Sequence, residues 1–380
     1  MKILFVSMPS IHVTRWVENL SGSGHELFWF DILDRGEMET SLPIHQITGW
    51  KKRKLPRFKG EHFLRKKMPF LYNVLQPYLE TTVDECLTKV INDLQPDVVH
   101  SFEMQHCSYP VLKTMQRFPH LKWVYSCWGS DLFFYRNFKN HLPKIKAVLQ
   151  RINYLHTDCE RDLHIATGLG FNGQHSGVIP GGGGFDLNSF EPYKTSFDDR
   201  KIILVKGYEH QMGRGLNIIK ALSTIGSELD ELNVAVFGAH PSVIDYINEH
   251  KLPFRVYDRH GLKHHELIQL MGNSLLYLGN SISDGMPNTL LEAIVMGAFP
   301  IQSNPGGVSA EIIENKRNGL LINNPEDVGE IRTLVLEALN NKDMMRNGFA
   351  INNRIAAERL DYGVNQQKVV ALYHRIENEL

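Results

Sequence analysis

Short apolar runs alternate along the chain with amphipathic stretches. KILFVS (2–7) predicts a strand. HVTRWVENLSGSG after it sets Val13, Trp16, Val17 and Leu20 at helical spacing before Gly22 and Gly24 stop the helix. HELFWFDI (25–32), DVVHSF (97–102), WVYSCW (123–128) and YLHTDC (154–159) predict further strands, with helical stretches such as 78–94 between them. The alternation begins again at KIILVKG (201–207). It continues through NVAVFGA (233–239), FRVYD (254–258), LLYLGNS (275–281), FPIQS (299–303) and GLLIN (319–323), with helical segments such as SVIDYINEH and NTLLEAIVMG between strands. From about 327 to 380 the pattern predicts successive helices.

Strands that alternate with helices imply parallel sheets covered on both faces. Two such series imply two doubly wound domains. VIPGGGGFDLNSFEPYKTSFDD (178–199), rich in Gly, Pro and polar residues, separates them. A loop of that length inside one compact domain is uncommon, so it reads as a linker. The expected division is a first domain over 1–182, a second over 183–360, and a C-terminal helix over 361–380 that packs back on the first. In open sheets of this kind ligands bind beyond the carboxyl ends of the strands. Two such domains facing each other would form a cleft, and chemistry is expected in the turns that follow strands.

Length and composition narrow this further. The 380 residues suit two domains, each with its own core. A formal net charge of −1 gives the whole chain no electrostatic case for nucleic acid. Cys86, Cys107, Cys127 and Cys159 form no CxxC pair and have no His cluster at zinc spacing, so they read as buried thiols of a reduced compartment. The apolar start MKILFVS is short enough to be a first strand rather than a signal peptide. No stretch approaches the ~20 apolar residues of a membrane span. The expected location is therefore cytoplasmic. One segment departs from the even charge. KKRKLPRFKGEHFLRKKMPFL (51–71) is strongly basic with apolar residues interleaved. It reads as a surface that lies on an anionic membrane at its inner face, against the alternatives of a solvated loop or a nucleic-acid patch.

SDGMPNTLLEAIVMG (283–297) carries the chemistry. LLYLGNS before it is apolar enough for a central strand. Gly285 and Pro287 shape the turn, Asn288 or Thr289 can cap the helix that follows, and Gly297 ends it. The N–H groups around Asn288, Thr289 and Leu290 then sit at the positive end of a helix dipole, an anion site suited to phosphate. Glu292, one turn in, can accept hydrogen bonds from vicinal hydroxyls, and Asp284 can reach hydroxyls beyond the phosphates. The alternative is a first-turn acid and a turn former. The apolar flanks of Glu292 favour a functional role, because a buried carboxylate needs partners.

This stretch resembles the nucleotide-sugar signature of the retaining glycosyltransferases of family four, Glu, seven residues and Glu, with Asp284 standing in the first place and Glu292 in the second. PDVVHSF (96–102), VIPGGGGFDLNSF (178–190) and GAFPIQSNPGGVSAEIIENKRNGLLI (297–322) resemble the family in order and spacing, the last with a helix carrying Glu311. The resemblance implies the GT-B fold, two Rossmann-like α/β domains facing a cleft. The first domain would take the acceptor, and the second the donor, a UDP- or GDP-linked sugar. Glu292 would hold ribose and Asp284 the sugar. Gly285, Met286, Pro287, Asn288, Thr289 and Leu290 would surround the diphosphate. Arg214 and Lys206, with Tyr208 beside them, would neutralise it. His260 and Leu262 would flank the base, while the adjacent His264 and His265 read as surface residues near a helix start.

On the acceptor side, SMPSIHVTRW stands where the family has a glycine-rich loop and offers His12 and Arg15. WGSD resembles the family's HGSD with Trp128 in place of His, followed by Asp131. Glu103 and His106 follow the strand DVVHSF. The resemblance implies a front-side reaction without a protein nucleophile, with no metal and no cofactor, on a glycan or lipid-linked acceptor of a bacterial surface polysaccharide. A non-catalytic sugar-nucleotide binder and a sugar-nucleotide epimerase of the same architecture remain open.

Overall fold

The computed structural model describes residues 1–40 and 42–380. The chain divides into two α/β units. Unit 1 comprises Met1–Thr157, Leu163–Gly177 and Val369–Leu380, and unit 2 comprises Asp158–Asp162 and Val178–Lys368. The chain therefore passes between units at 177/178 and 368/369, and also makes a five-residue excursion at 158–162 that the sequence pattern did not suggest.

Unit 1 is built on seven strands, β1 (Lys2–Ser7), β2 (Glu26–Asp31), β3 (Ile44–Ile47), β4 (Val98–Phe102), β5 (Lys122–Ser126), β6 (Tyr154–Thr157) and β7 (Gln174–Val178), in the order β3-β2-β1-β4-β5-β6-β7. The pairings from β3 across to β6 are parallel. Alternation along β1 divides the two faces. Leu4 and Val6 join a core with Val99, Trp123 and Leu155. Phe5, on the opposite face, lies edge-on to Tyr373 at 6.3 Å.

That second face holds a buried polar chain. Trp16 Nε1 donates to Tyr373 Oη (3.0 Å), and Tyr373 Oη is 2.5 Å from His100 Nδ1. His100 Nε2 lies 2.7 Å from Ser126 Oγ, which is 2.8 Å from His156 Nδ1. Every bond in this chain has a donor if Tyr373 gives its proton to Nδ1, neutral His100 donates from Nε2, and Ser126 donates to His156. Burial pushes the His100 imidazole well below its ordinary value, consistent with that neutral form. Tyr373 belongs to the helix Tyr362–Glu377, so its bond to Trp16 fixes the C-terminal segment onto the first sheet.

Unit 2 is built on β8 (Ile202–Lys206), β9 (Asn233–Ala239), β10 (Arg255–Asp258), β11 (Ser274–Gly279), β12 (Phe299–Ser303) and β13 (Leu320–Ile322), all parallel in the order β10-β9-β8-β11-β12-β13. Ile203, Val205, Leu276 and Leu278 enter one core. Leu204 and Tyr277 enter the other, together with Leu290, Leu291 and Ile294 of the helix Asn288–Met296. Both faces are covered, which is why these strands read as near-continuous apolar runs.

Three expectations need correction. The helix read over 78–94 is two helices, Pro69–Leu79 and Val83–Leu94. Glu80 is extended, and Thr82 opens the second helix through a capping box with Glu85, a signal present in TTVDE. The stretch 178–199 carries short helical turns at Leu187–Phe190, Glu191–Tyr193 and Phe197–Asp199, and from Val178 onward it lies in unit 2. Cys107, Cys127 and Cys159 are buried thiols, but Cys86 is only half-buried.

Candidate functional site

The strand order of unit 2 reverses at β8. β9 and β10 lie on one side of it, and β11, β12 and β13 on the other. The carboxyl ends of β8 and β11 therefore flank the crevice where open sheets bind ligands. The two loops that leave these strands are stitched together. Arg214 N–H donates to the Asn280 carbonyl (2.9 Å), and Ile282 N–H to the Met212 carbonyl (2.8 Å). The buried Asn280 side chain donates to the carbonyls of Arg214 (3.1 Å) and Pro325 (2.8 Å).

Lys206, the last residue of β8, brings its Nζ to 3.9 Å from Asp284 Oδ2. The same ammonium lies 4.8 Å from the centre of the Tyr208 ring. Tyr208 can lie there because residue 238 is glycine at φ +61°. A Cβ at that position would come within 2.3 Å of the ring. The packing around Asp284 raises its carboxyl above the usual range, and Lys206 pulls it back down. The Asp284 side chain remains one-third exposed (33%), which leaves it reachable from outside. His210 flanks the Tyr208 ring; its Nδ1 accepts the Met212 N–H (3.1 Å), and burial and His240 lower its pKa.

The backbone of the Asp284 loop is held from below. Buried Arg161 donates to the Asp284 carbonyl (2.7 Å), to the Pro305 carbonyl (2.7 Å) and to both oxygens of Asp162 (2.9 and 3.1 Å). Glu311 accepts the N–H groups of Glu160 and Arg161 at 2.7 and 2.9 Å. The helix expected to carry Glu311 is a single 3₁₀ turn, Ser309–Glu311. Asp158 takes the Met286 N–H, and burial, followed by Asp162, pushes its carboxyl well above the usual range. Arg161 and Asp158 went unnoticed in the sequence, although DCERD directly after the apolar YLHT marks a polar cluster at a strand end.

The helix Asn288–Met296 starts one residue earlier than its expected caps. Pro287 occupies the N-cap position without a side-chain bond. Asn288 and Thr289 form the first turn, with Thr289 Oγ1 2.9 Å from Tyr277 Oη. Leu290 N–H, expected to face an anion, bonds the Pro287 carbonyl (3.0 Å). Gly285, Met286 and Pro287 are buried in the loop, and Gly297 closes the helix at φ +82°. Glu292 is only 4% exposed. His264, the first residue of the helix His264–Gly272, donates from Nε2 to Glu292 Oε1 (2.8 Å). His264 is exposed at the helix start, as expected, and from there it also bonds the acidic residue of the candidate site.

Arg214 has an acidic partner in this structure. Its guanidinium pairs with Glu326 and donates to the carbonyls of His210 (3.1 Å) and Gly213 (2.8 Å). The structure joins Lys206 to Asp284 and anchors Arg214 on Glu326. In the turn after β10, His260 N–H is taken by Asp258 Oδ1 (2.9 Å), and half-buried Leu262 packs against the core.

In unit 1 the order reverses at β1, beside β4. His12, in the helix Ile11–Glu18, meets Trp128 edge-on at 5.7 Å, and Arg15 lies one turn further along that helix. Glu103 follows β4 at φ +70°, a backbone region that non-glycine residues rarely adopt. Its carboxylate accepts the His106 N–H (2.5 Å) and lies 3.3 Å from His106 Nδ1, which raises the pKa of that imidazole. Asp131 is buried, and its carboxylate accepts from Met104 N–H (3.0 Å), Trp128 N–H (3.0 Å) and Tyr125 Oη (2.6 Å). Its oxygens thus fix the loops after β4 and β5.

Among the described residues, two groups of side chains have the chemistry of metal ligands, His25/His374/Glu377 and Asp158/Cys159/Asp162. Each already has a cationic partner. The N-terminal ammonium lies 3.3 Å from Glu377 and 3.4 Å from His25, and Arg161 pairs with Asp162.

Comparison with known proteins agrees with this architecture. Residues 190–355, within unit 2, match the family model described as glycosyl transferases group 1. No curated protein sequence matches the chain. Among solved structures, sucrose-phosphate synthase from Thermosynechococcus elongatus superposes with a TM-score of 0.74 at 15% identity, over 100% of both chains. HepE of Anabaena, in complex with UDP and glucose, gives 0.70 at 15% identity, over 99% of this chain and 100% of that one. The lipopolysaccharide outer core galactosyltransferase WaaB gives 0.68 at 14% identity, over 99% of each. The fold is that of the GT-B glycosyltransferases, two Rossmann-like parallel-sheet units.

Proposed function

We propose that the chain is a retaining glycosyltransferase that transfers a sugar from a UDP- or GDP-linked donor to a glycan or lipid-linked acceptor of a bacterial surface polysaccharide. Unit 2 holds the donor. The observation that carries this reading is the buried Glu292, held by His264 one turn into the helix that starts at the crevice between β8 and β11. A carboxylate held in that position can also accept hydrogen bonds from the vicinal hydroxyls of a ribose. Lys206 and the start of the helix at Asn288 suit a diphosphate, and Asp284 suits sugar hydroxyls just beyond it. HepE bound to UDP and glucose, and the group 1 match over 190–355, support the same reading.

On this reading the acceptor hydroxyl attacks on the face from which the nucleoside diphosphate leaves, and a phosphate oxygen of the leaving group takes its proton. The C–O bond to the acceptor forms as the C–O bond to the diphosphate breaks. The protein positions the reactants and stabilises the charge growing on the diphosphate, so neither a metal nor a protein nucleophile is required. Lys206 is the first cation available to it. Arg214 joins once Glu326 releases it. The acceptor is assigned to unit 1, with His12, Arg15, Glu103, His106 and Trp128 as its contacts.

The test is a panel of UDP- and GDP-sugars screened first by thermal shift and then for nucleoside diphosphate release with glycan and lipid-linked acceptors. One donor should stabilise the protein and be consumed only when acceptor is present. Binding without turnover on any acceptor would indicate a non-catalytic binder. Isomerisation of the donor in the absence of acceptor would indicate an epimerase.

A further inference from the structure

We propose that the face formed by residues 51–78 of unit 1 docks on a membrane that carries anionic phospholipids. The proposal rests on this surface alone and is independent of the donor chemistry in unit 2.

The apolar part is unusual for a folded surface. The helix Glu61–Lys67 buries no residue, and the helix Pro69–Leu79 buries only Tyr72 and Leu79. Phe70 is 83% exposed, Val74 54% and Tyr78 70%. Spaced four residues apart, they form one stripe along the helix. Leu55, Phe58, Phe63, Met68 and Leu71 are exposed as well. Single exposed apolar residues are ordinary, but eight of the twelve large exposed hydrophobics among the described residues fall within these 24 positions, 55 to 78.

The polar part has one sign. Residues 51–67 contain nine Lys and Arg against a single acid, Glu61, in a chain whose net charge is −1. Glu61 is already bound by Arg53 through both oxygens, at 2.7 and 2.9 Å. Arg53, Arg57, His62 and Arg65 line one hollow together with Glu61 and Glu80, with Phe58 in its wall. With Arg53 held by Glu61, the guanidinium groups of Arg57 and Arg65 are left to meet a lipid phosphate, and Phe58 beside them suits the acyl chain of the same lipid.

This combination selects the occupant. A second copy docked through the same face would bring nine like charges against nine. Nucleic acid would use the cations but leave Phe70 and Val74 in water. An anionic bilayer satisfies both parts, with the stripe among the acyl chains and the cations among the headgroups. Among the described residues no helix is long and apolar enough to cross a membrane, so the contact is made from one side.

The test is co-sedimentation of the full chain with vesicles of phosphatidylcholine, pure or with about 30 mol% phosphatidylglycerol. Binding should require phosphatidylglycerol and weaken at least about tenfold between low and high salt. Phe70→Ser/Val74→Ser/Tyr78→Ser and, separately, Lys66→Glu/Lys67→Glu should each lower vesicle affinity at least about tenfold. Both should keep the wild-type melting temperature, because the altered side chains are exposed. Equal binding to neutral vesicles, no binding to anionic ones, or variants that bind like wild type would overturn the proposal. So would a concentration-dependent dimer abolished by the same substitutions, or RNA binding without vesicle binding.

Discussion

His264 Nε2 lies 2.8 Å from Glu292 Oε1 and ties the start of the helix His264–Gly272 to a point one turn into the helix Asn288–Met296. The bond fixes one oxygen of a nearly buried carboxylate, while the imidazole itself stays 41% exposed. His264→Ala should therefore act on ligand binding more than on folding. We expect nucleotide affinity to fall by about fivefold, the equivalent of about 1 kcal/mol for a charge-assisted bond discounted for exposure. His264→Gln, which can still donate, should restore part of the loss. Calorimetry with the donor reads the affinity, and thermal melting checks the fold. A melting point that falls while affinity stays constant would make the bond structural only.

Lys206 is the cation that the structure brings to Asp284, at 3.9 Å. Lys206→Met should lower kcat/KM by about 10²-fold, the scale for removing one group that stabilises charge in the transition state. Arg214→Met should cost less, because that guanidinium is engaged by Glu326. Steady-state kinetics on both variants decides the order. A larger loss for Arg214→Met would show that Glu326 releases Arg214 when donor binds.

Arg161 pairs with fully buried Asp162 and carries the Asp284 loop on its remaining N–H groups. Arg161→Ala should destabilise unit 2 by about 3–5 kcal/mol, since it strands a buried carboxylate. Arg161→Ala/Asp162→Ala should recover part of that loss but not the activity, because the Asp284 loop stays unsupported. Urea unfolding followed with activity assays separates the two effects.

The buried His100 gives unit 1 a pH dependence of defined sign. Its folded pKa lies below the ordinary imidazole value of 6.5. The unfolded chain therefore binds more protons as pH falls, and stability is lost progressively from about pH 6.5 downward. His100→Asn should flatten this dependence in melts recorded between about pH 7 and 5. It should also lower stability at neutral pH, because Tyr373 and Ser126 lose a partner.

The fold was legible because two features survive in one dimension. Strands covered on both faces must be apolar throughout, so KIILVK and SLLYLG announce themselves, and the turns after them carry the polar residues. Glu292 and Asp284 were legible for the same reason, as acids in an apolar helix and at a strand end. What remained hidden depends on which elements pack together. KHHEL places His264 at the surface, and only the packing of its helix against Asn288–Met296 shows which acid it bonds. Arg161 looks like a solvated charge in DCERD until the 158–162 excursion places it under the Asp284 loop. Arg214 sits where a diphosphate cation is expected, and only the approach of Glu326, 112 positions away, shows that it has another partner. The misread helix at 78–94 is different. Its break is written in TTVDE, where Thr82 and Glu85 stand at capping-box spacing inside the apolar pattern.

Titration calorimetry of the nucleoside diphosphate of the donor that stabilises the chain, into wild type and Glu292→Ala, tests the central claim most directly. The account predicts that the folded variant loses at least about tenfold in affinity, since one carboxylate–hydroxyl contact in a buried site is worth about 1.5–3 kcal/mol. Unchanged affinity in a variant with the wild-type melting point would contradict it and move the nucleotide away from the crevice between β8 and β11.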